Sequence, residues 1–200
     1  MGPPRGVLPS AVAVDTVLAS TDDVAVCLSR VDAFPEGITF DVVSLLRPGA
    51  DVDAFDAFDG RDRRRFFDRS DGAPPPPEML RIGVEFADGS TVTNTAGTIG
   101  AWGDGHRMRI DPAADDEGDE PPPRGPVLSE SGGSGSNNYA RQSYWLWPLP
   151  EDGAITFVCE WPGVGIGVTR TPVDASLFTE AAARARVVFE GLGPPRLRIG

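Results

Sequence analysis

Cys27 and His106 are the two residues that nucleophilic catalysis could use, since the chain has two cysteines and one histidine. A cysteine nucleophile requires a base, and an imidazole is the usual one. His106 follows Gly103-Asp104-Gly105, a loop-like sequence that would let its ring approach Cys27. One cysteine and one histidine can be paired in this way in almost any chain, so the pattern favours an ordinary surface-loop histidine. The sequence therefore predicts no catalytic residue, and Cys27 and His106 remain weak candidates.

Cys27 and Cys159 allow three arrangements: an inter-sheet disulfide, two free thiols, or a metal site shared with His106. Cys159 alternates with Ile155 and Phe157, which places it on the apolar face of its strand. Cys27 falls opposite the apolar face of its own strand. Side chains that point to opposite sides of their sheets do not meet. We therefore expect two free thiols.

Paired carboxylates are the second kind of chemistry that the composition allows. Glu160 together with an aspartate from a loop would suffice for glycoside cleavage, but 30 acidic residues make some such pair inevitable. A hydrolase is therefore the alternative function. The acidic run from Asp51 to Asp59 lacks the spacing of a calcium-binding loop. With no lysine and a single histidine, the chain predicts no metal and no cofactor.

Aromatic residues give the most informative pattern. Tyr144, Trp145, Trp147 and Trp161 lie close together in a chain that has only four tryptophans. In a strand, Trp145 and Trp147 point to one side and Tyr144 to the other, so both faces are bulky. Either a helix or loop covers the second face, or an exposed pair binds a protein partner or a carbohydrate. The preferred hypothesis is a non-enzymatic binding or protein-interaction module that uses these four residues.

The net charge of −12 and the isoelectric point of about 4.4 constrain the partners. A field of this sign repels phosphate backbones and anionic lipid headgroups, which argues against nucleic acid and membrane partners. The N-terminal residues lack the pattern of a secretory signal, so we expect a cytoplasmic protein. The sequence leaves the oligomeric state open.

Alternation of apolar and polar residues with a period of two predicts antiparallel strands. Apolar rows recur in five segments: Val12 to Leu18, Val24 to Leu28, Ile38 to Leu46, Leu80 to Phe86, and Ile155 to Trp161. Turns are predicted at Pro35-Glu36 and at Asp88-Gly89. Two such sheets stacked face to face would bury both apolar sets. The expected fold is a single mainly β domain, an antiparallel β-sandwich with a partly open barrel as second choice, and one helix packed on it.

The expected helix spans residues 174–190, with Asp174 as its N-cap and an apolar stripe at helical spacing, and a tail follows over 191–200. Residues 47–79 are expected to form a long loop rich in Asp, Arg and Pro. Residues 111–138 are expected to form a flexible acidic and Gly/Ser-rich loop, with a short strand at Val127-Leu128.

Three segments resemble a group of uncharacterised proteins that is common in high-GC bacterial genomes: Leu80-Arg-Ile-Gly-Val-Glu-Phe-Ala-Asp-Gly89, Tyr144-Trp-Leu-Trp-Pro-Leu-Pro150 and Phe157-Val-Cys-Glu-Trp-Pro162. The glycine-rich stretch before Tyr144 and the alanine-rich C-terminal helix are also similar. The resemblance covers residues 11–46, 80–95 and 126–186. It implies a soluble bacterial protein and carries no activity and no functional residue with it.

Overall fold

The computed structural model describes residues 2–50, 74–95, 125–136, 138–150 and 153–190, and this part of the chain is mainly β. The elements in chain order are β1 (Val7–Leu8), β2 (Ser10–Val12), β3 (Thr16–Ser20), β4 (Val24–Phe34), β5 (Gly37–Leu46), β6 (Arg81–Glu85), β7 (Thr91–Thr93), β8 (Val127–Ser136), β9 (Tyr139–Trp147), β10 (Ala154–Trp161), β11 (Ile166–Asp174), α1 (Ser176–Ala182) and β12 (Arg186–Val187).

The larger sheet is antiparallel and has six strands. Its order is β2-β4-β5-β9-β8, and β3 pairs with the other half of β4. Strands β4 and β5 form the predicted hairpin, in which Phe34 is opposite Gly37 and residues 35–36 make the turn. The predicted first strand is divided into β2 and β3, although Val12, Val14 and Leu18 are all buried as expected.

The smaller sheet is antiparallel and has four strands in the order β11-β10-β6-β7. The predicted turn at Asp88-Gly89 joins β6 to β7, and Gly89 has a φ of 84°, which glycine adopts without strain. A separate two-stranded ribbon pairs β1 with β12, so that Val7 is opposite Val187.

The core lies between the two large sheets and is built from the predicted apolar rows. Phe40 of β5 meets Phe157 of β10 edge to face, with ring centroids 5.3 Å apart, and this contact joins the sheets at their centre. Around it the inward residues of β4, β5, β9, β6 and β10 form one cluster. Alternating side chains bury one face of each sheet and leave the other face for different contacts. The predicted antiparallel β-sandwich is confirmed.

The C-terminal helix is shorter than expected. The helix α1 has seven residues, Ser176–Ala182, and not the predicted 174–190. Asp174 still accepts a hydrogen bond from the amide of Ser176 at 2.9 Å, but Ala175 is the N-cap. After the helix, Arg186–Val187 pairs with β1, because β-branched valines suit a strand and β1 offers a hydrogen-bonding partner. Phe178 and Ala181 are buried, so the first half of the apolar stripe does face the core.

Residues 127–136 are a strand, which corrects this part of the flexible loop predicted over 111–138, while residues 111–124 lie outside the described residues. Strand β8 has ten residues and pairs with β9 along its whole length, from Val127 opposite Trp147 to Ser136 opposite Tyr139. Glycine and serine do not favour strands by themselves. Strand β9 supplies the hydrogen-bonding partner, and small side chains present no steric obstacle to the extended backbone.

The remaining loop predictions fall largely on residues that the structure does not describe. Residues 51–73, 96–124 and 191–200 lie outside the described part of the chain, so most of the predicted loop over 47–79 and all of the predicted tail do too. Residues 47–50 and 74–80, at the two ends of the first loop, form neither strand nor helix. Among the described residues, no helix is long and apolar enough to cross a bilayer.

Candidate functional site

Three of the four aromatic candidates are buried, and the expectation that they form an exposed patch is wrong for these three. Tyr144 points into the core between the sheets and stacks on Phe40. Trp161 also packs there, and its indole N–H donates to the carbonyl of Glu78 at 2.8 Å. A side chain that is enclosed by its own protein offers no surface to a ligand.

Trp145 lies on the opposite face of the six-stranded sheet and is only 1% exposed. Its ring meets Phe34 edge to face, with centroids 5.6 Å apart. Gly37 leaves room for this ring, since a Cβ atom at that position would lie 2.8 Å from Cη2 of Trp145. Trp145 is therefore a packing residue of the outer face.

Trp147 is the candidate that remains partly accessible. It is half-buried at the end of β9, opposite Val127 at the start of β8. At the other end of β9, Tyr139 is exposed and lies opposite Ser136. The two accessible aromatic rings of this strand thus lie beside the two ends of β8.

The weak catalytic candidates do not assemble into a site in the described structure. Cys27 and Cys159 are free thiols, as predicted, the first partly buried on the outer face and the second in the core. Burial raises the pKa of Cys27, and burial together with the neighbouring Glu160 raises the pKa of Cys159 to about 12. A raised pKa removes the thiolate that a nucleophile needs. His106 lies outside the described residues.

Glu160 is committed to an ion pair. Its Oε2 atom lies 2.7 Å from a terminal guanidinium nitrogen of Arg81, and both side chains are mostly buried. Arg81 also donates to the carbonyl of Pro75 at 2.8 Å, which fixes the guanidinium in place. The carboxylate of Glu160 is thus already engaged by an arginine in a mostly buried position. The described residues also hold no group of three or more side chains that would suit a metal.

An open groove of about 630 Å³ lies at one end of the six-stranded sheet. Its lining includes the turn residues Asp22 and Asp23 together with Leu45, Arg47 and Tyr139. Every charged residue that lines this groove is exposed. A polar ligand would therefore compete with water for each contact, because none of the charged side chains of the groove is shielded from solvent.

The outer edge of β8 is the most distinctive accessible feature. Strand β8 is the last strand of its sheet, and no described strand pairs with its outer side. Residues from Glu130 to Ser136 are all exposed. Because a glycine has no side chain, the exposed surface of Gly132, Gly133 and Gly135 is main chain.

The other edges of the two large sheets carry the features that prevent unwanted pairing. Strands β2 and β7 are three residues long, and β3 has five residues with a bulge. Strand β11 is long but carries Arg170 and Pro172, and both residues are exposed. Short length, charge, proline and bulges are the usual protections of an edge strand.

Strand β8 lacks most of these protections. It has ten residues, no proline, one charge at Glu130, and a bulge between Glu130 and Gly132. Beyond the bulge, Gly132–Ser136 pairs regularly with β9 and bears no charge. We call Gly132–Ser136 the β8 edge. An edge of this kind can form a backbone ladder with another extended segment.

Sequence reasoning missed the β8 edge because Gly/Ser repeats usually mark flexible linkers. One available signal was the pair of asparagines between Ser136 and Tyr139, since asparagine favours the tight turn of a hairpin.

A scan against models of known protein families, a search of curated proteins and a search of solved structures each found no match to this chain.

Proposed function

We propose that this protein is a non-enzymatic protein-interaction module that binds an extended polypeptide segment along the β8 edge. The observation that carries the proposal is an unprotected edge of exposed glycine and serine main chain on a sheet whose other edges are protected. The proposal keeps the binding module that the sequence predicts, but it places the binding surface on the backbone of β8 rather than on the aromatic residues.

Backbone geometry supports this proposal. The five residues of the β8 edge span about 17 Å, enough for an incoming strand of similar length to form several ladder hydrogen bonds. Strand β9 holds β8 in the extended conformation, so less conformational entropy is lost on binding than with a free loop. Main-chain pairing of this kind provides affinity, and the neighbouring side chains provide specificity.

The side chains beside the β8 edge define a simple specificity. Tyr139 and Arg141 lie on one face of β9, opposite Ser136 and Ser134 of β8. Because β8 lies between them, the side chains of an incoming strand would be about 10 Å from those of β9. The small residues of β8 leave the space between them open, so the tyrosine ring can contact the ligand, whereas Arg141 is paired with Asp41 of β5 at 3.8 Å.

Charge favours a basic partner. The whole chain has a net charge of −12, and six acidic residues occur between residues 111 and 120, shortly before β8 in the sequence. Complementary charge accelerates association and disfavours acidic competitors. We therefore expect an extended segment with more Arg and Lys than Asp and Glu.

A phage-displayed library of random dodecapeptides tests the proposal. The wild-type protein should enrich basic peptides that alternate β-branched or aromatic residues with polar ones. The edge variant Gly132→Lys/Ser134→Lys should bind these peptides at least about tenfold more weakly, since it places two charges on the edge. Gly132 has no atom within 4 Å of an added Cβ and Ser134 is exposed, so this variant should fold.

The matched control is Gly167→Lys/Val168→Lys on β11, which adds the same charge at exposed positions on an edge of the other sheet. It should bind the enriched peptides like the wild type. Failure to enrich any peptide family would contradict the proposal, and so would peptides that bind the edge variant and the wild type equally well.

A further inference from the structure

The ribbon formed by Gly6–Leu8 and Arg186–Phe189 exposes apolar side chains. Strand β1 pairs with β12, and the amides of Val188 and Phe189 both donate to the carbonyl of Gly6, at 2.7 and 3.1 Å. Val187 is 61% exposed and Phe189 65% exposed, and Leu8 and Val188 are also exposed. We call this segment the terminal ribbon. Its hydrogen bonds hold four apolar side chains in water.

The terminal ribbon and the residues that flank it carry three arginines, in a chain that is strongly acidic. Arg5, Arg184 and Arg186 are exposed, and none of them has a carboxylate partner among the described residues. Arg184 donates to the backbone carbonyl of Glu180 at 3.0 Å. Glu190, at the end of the described chain, is the nearest acidic residue in sequence to Phe189. Unpaired arginines beside exposed apolar groups indicate an anionic partner with an apolar layer.

We infer that the terminal ribbon is a site for peripheral binding to anionic lipid bilayers. Val187, Val188 and Phe189 are three consecutive exposed side chains at the end of a strand of only two residues, and Leu8 on the paired strand is exposed as well. A bilayer interface surrounds an inserted ribbon, so it accepts Val187, Val188 and Phe189 together while the arginines contact lipid phosphates.

The overall charge does not prevent this mode of binding. Charges farther away than the Debye length, about 8 Å at physiological ionic strength, are largely screened. The local charge of the terminal ribbon therefore decides the interaction once the protein is oriented. This inference departs from the expectation that the net charge excludes membranes, because net charge averages over an uneven surface. It does not depend on the β8 edge.

Cosedimentation with vesicles tests the inference. The wild-type protein should sediment with phosphatidylcholine vesicles that contain about 30% phosphatidylserine and remain in solution with phosphatidylcholine alone. Each arginine close to an anionic surface strengthens binding roughly fivefold. The variant Arg5→Gln/Arg184→Gln/Arg186→Gln should therefore bind about a hundredfold more weakly.

The apolar part is tested with Val187→Ser/Phe189→Ser, which should also lose most vesicle binding. The matched control is Val17→Ser/Val168→Ser, which removes two exposed valines on β3 and β11 and should bind like the wild type. Absence of wild-type binding to the anionic vesicles would overturn the inference. So would equal losses in the two serine variants. The protein could instead fail to bind vesicles but bind polyglutamate beads, with no change in Val187→Ser/Phe189→Ser. That result would assign the ribbon to an acidic protein partner.

Discussion

Asn94 connects the two sheets through Tyr144. The side-chain amide nitrogen of Asn94 donates to the Tyr144 hydroxyl at 3.2 Å and to the carbonyl of Leu80 at 3.0 Å, and its oxygen accepts from the amide of Ile82 at 2.9 Å. The Tyr144 hydroxyl donates in turn to Gln142 at 2.8 Å. Asn94 and Tyr144 are both buried, so the polar network fixes the position of β9 relative to the smaller sheet.

Tyr144→Phe should lower the free energy of unfolding by about 1–2 kcal/mol, because it deprives buried polar groups of a partner while it preserves the ring. Urea denaturation, followed by circular dichroism, measures this change. Tyr139→Phe on the same strand is the control, and it should change stability by less than about 0.5 kcal/mol because Tyr139 is exposed. Equal effects of the two substitutions would mean that the hydroxyl of Tyr144 does not bridge the sheets.

Gly37→Ala should destabilise the fold by about 1–3 kcal/mol, since the added methyl group would collide with the carbonyl oxygen of Leu146 and approach the ring of Trp145. The fluorescence of the protein should also change as Trp145 is displaced. Gly132→Ala serves as the control, because an added Cβ there has no neighbour within 4 Å. If Gly37→Ala were as stable as Gly132→Ala, the close packing of Trp145 against Gly37 described above would be contradicted.

Cys159 should make the stability of the fold depend on alkaline pH. Burial raises its pKa from 9.0 to about 12 in the folded state. Below pH 9.0 the thiol is protonated in both the folded and the unfolded chain, and its contribution to the free energy of unfolding is complete. As the pH rises towards 12, the unfolded chain releases this proton and the folded chain does not, so that contribution is lost. The loss is on the order of 4 kcal/mol.

Denaturation curves between pH 8 and 11 should therefore be less pH-dependent for Cys159→Ala than for the wild type, although Cys159→Ala is itself less stable at about pH 7. The chain has no lysine, so few other groups titrate in this interval. The wild type and the variant would show parallel pH profiles if Cys159 were not buried.

Glu160→Gln should cost about 3 kcal/mol of stability, because it leaves the mostly buried guanidinium of Arg81 without its carboxylate. Glu85→Gln removes an ion pair with Arg170, whose side chain is 53% exposed, and should cost less than about 1 kcal/mol. Thermal or urea denaturation of the two variants gives the comparison. If Glu160→Gln left stability unchanged, Glu160 would be free for another role, and the hydrolase hypothesis would regain support.

The sandwich was predictable because its central strands carry regular apolar alternation. Phe40 and Phe157 each lie in a row of inward-facing residues, and such rows identify both the strands and their buried faces. The burial of Tyr144 was consistent with the same pattern. Trp145 could not be assigned from sequence, because burial of an outer-face residue depends on contacts that no local pattern encodes.

Strand β8 and the end of α1 were not predictable from local sequence. Gly132–Ser136 has no apolar pattern and becomes a strand only because β9 pairs with it. Val188 and Phe189 continue the helical stripe in the sequence, yet their amides donate to the carbonyl of Gly6 and hold them in the terminal ribbon. In both cases a partner distant in sequence decides the conformation. The β8 edge could therefore be recognised only from the sheet order.

Amide hydrogen exchange of the β8 edge, with and without a peptide selected from the library, tests the central claim most directly. In an antiparallel edge strand, alternate amides point outward and lack a ladder partner. Binding along the edge should slow the exchange of every second amide within Gly132–Ser136 by at least about tenfold and should leave the inward amides unchanged. If protection appeared only elsewhere in the protein, or showed no alternation along β8, the β8 edge would not be the binding site.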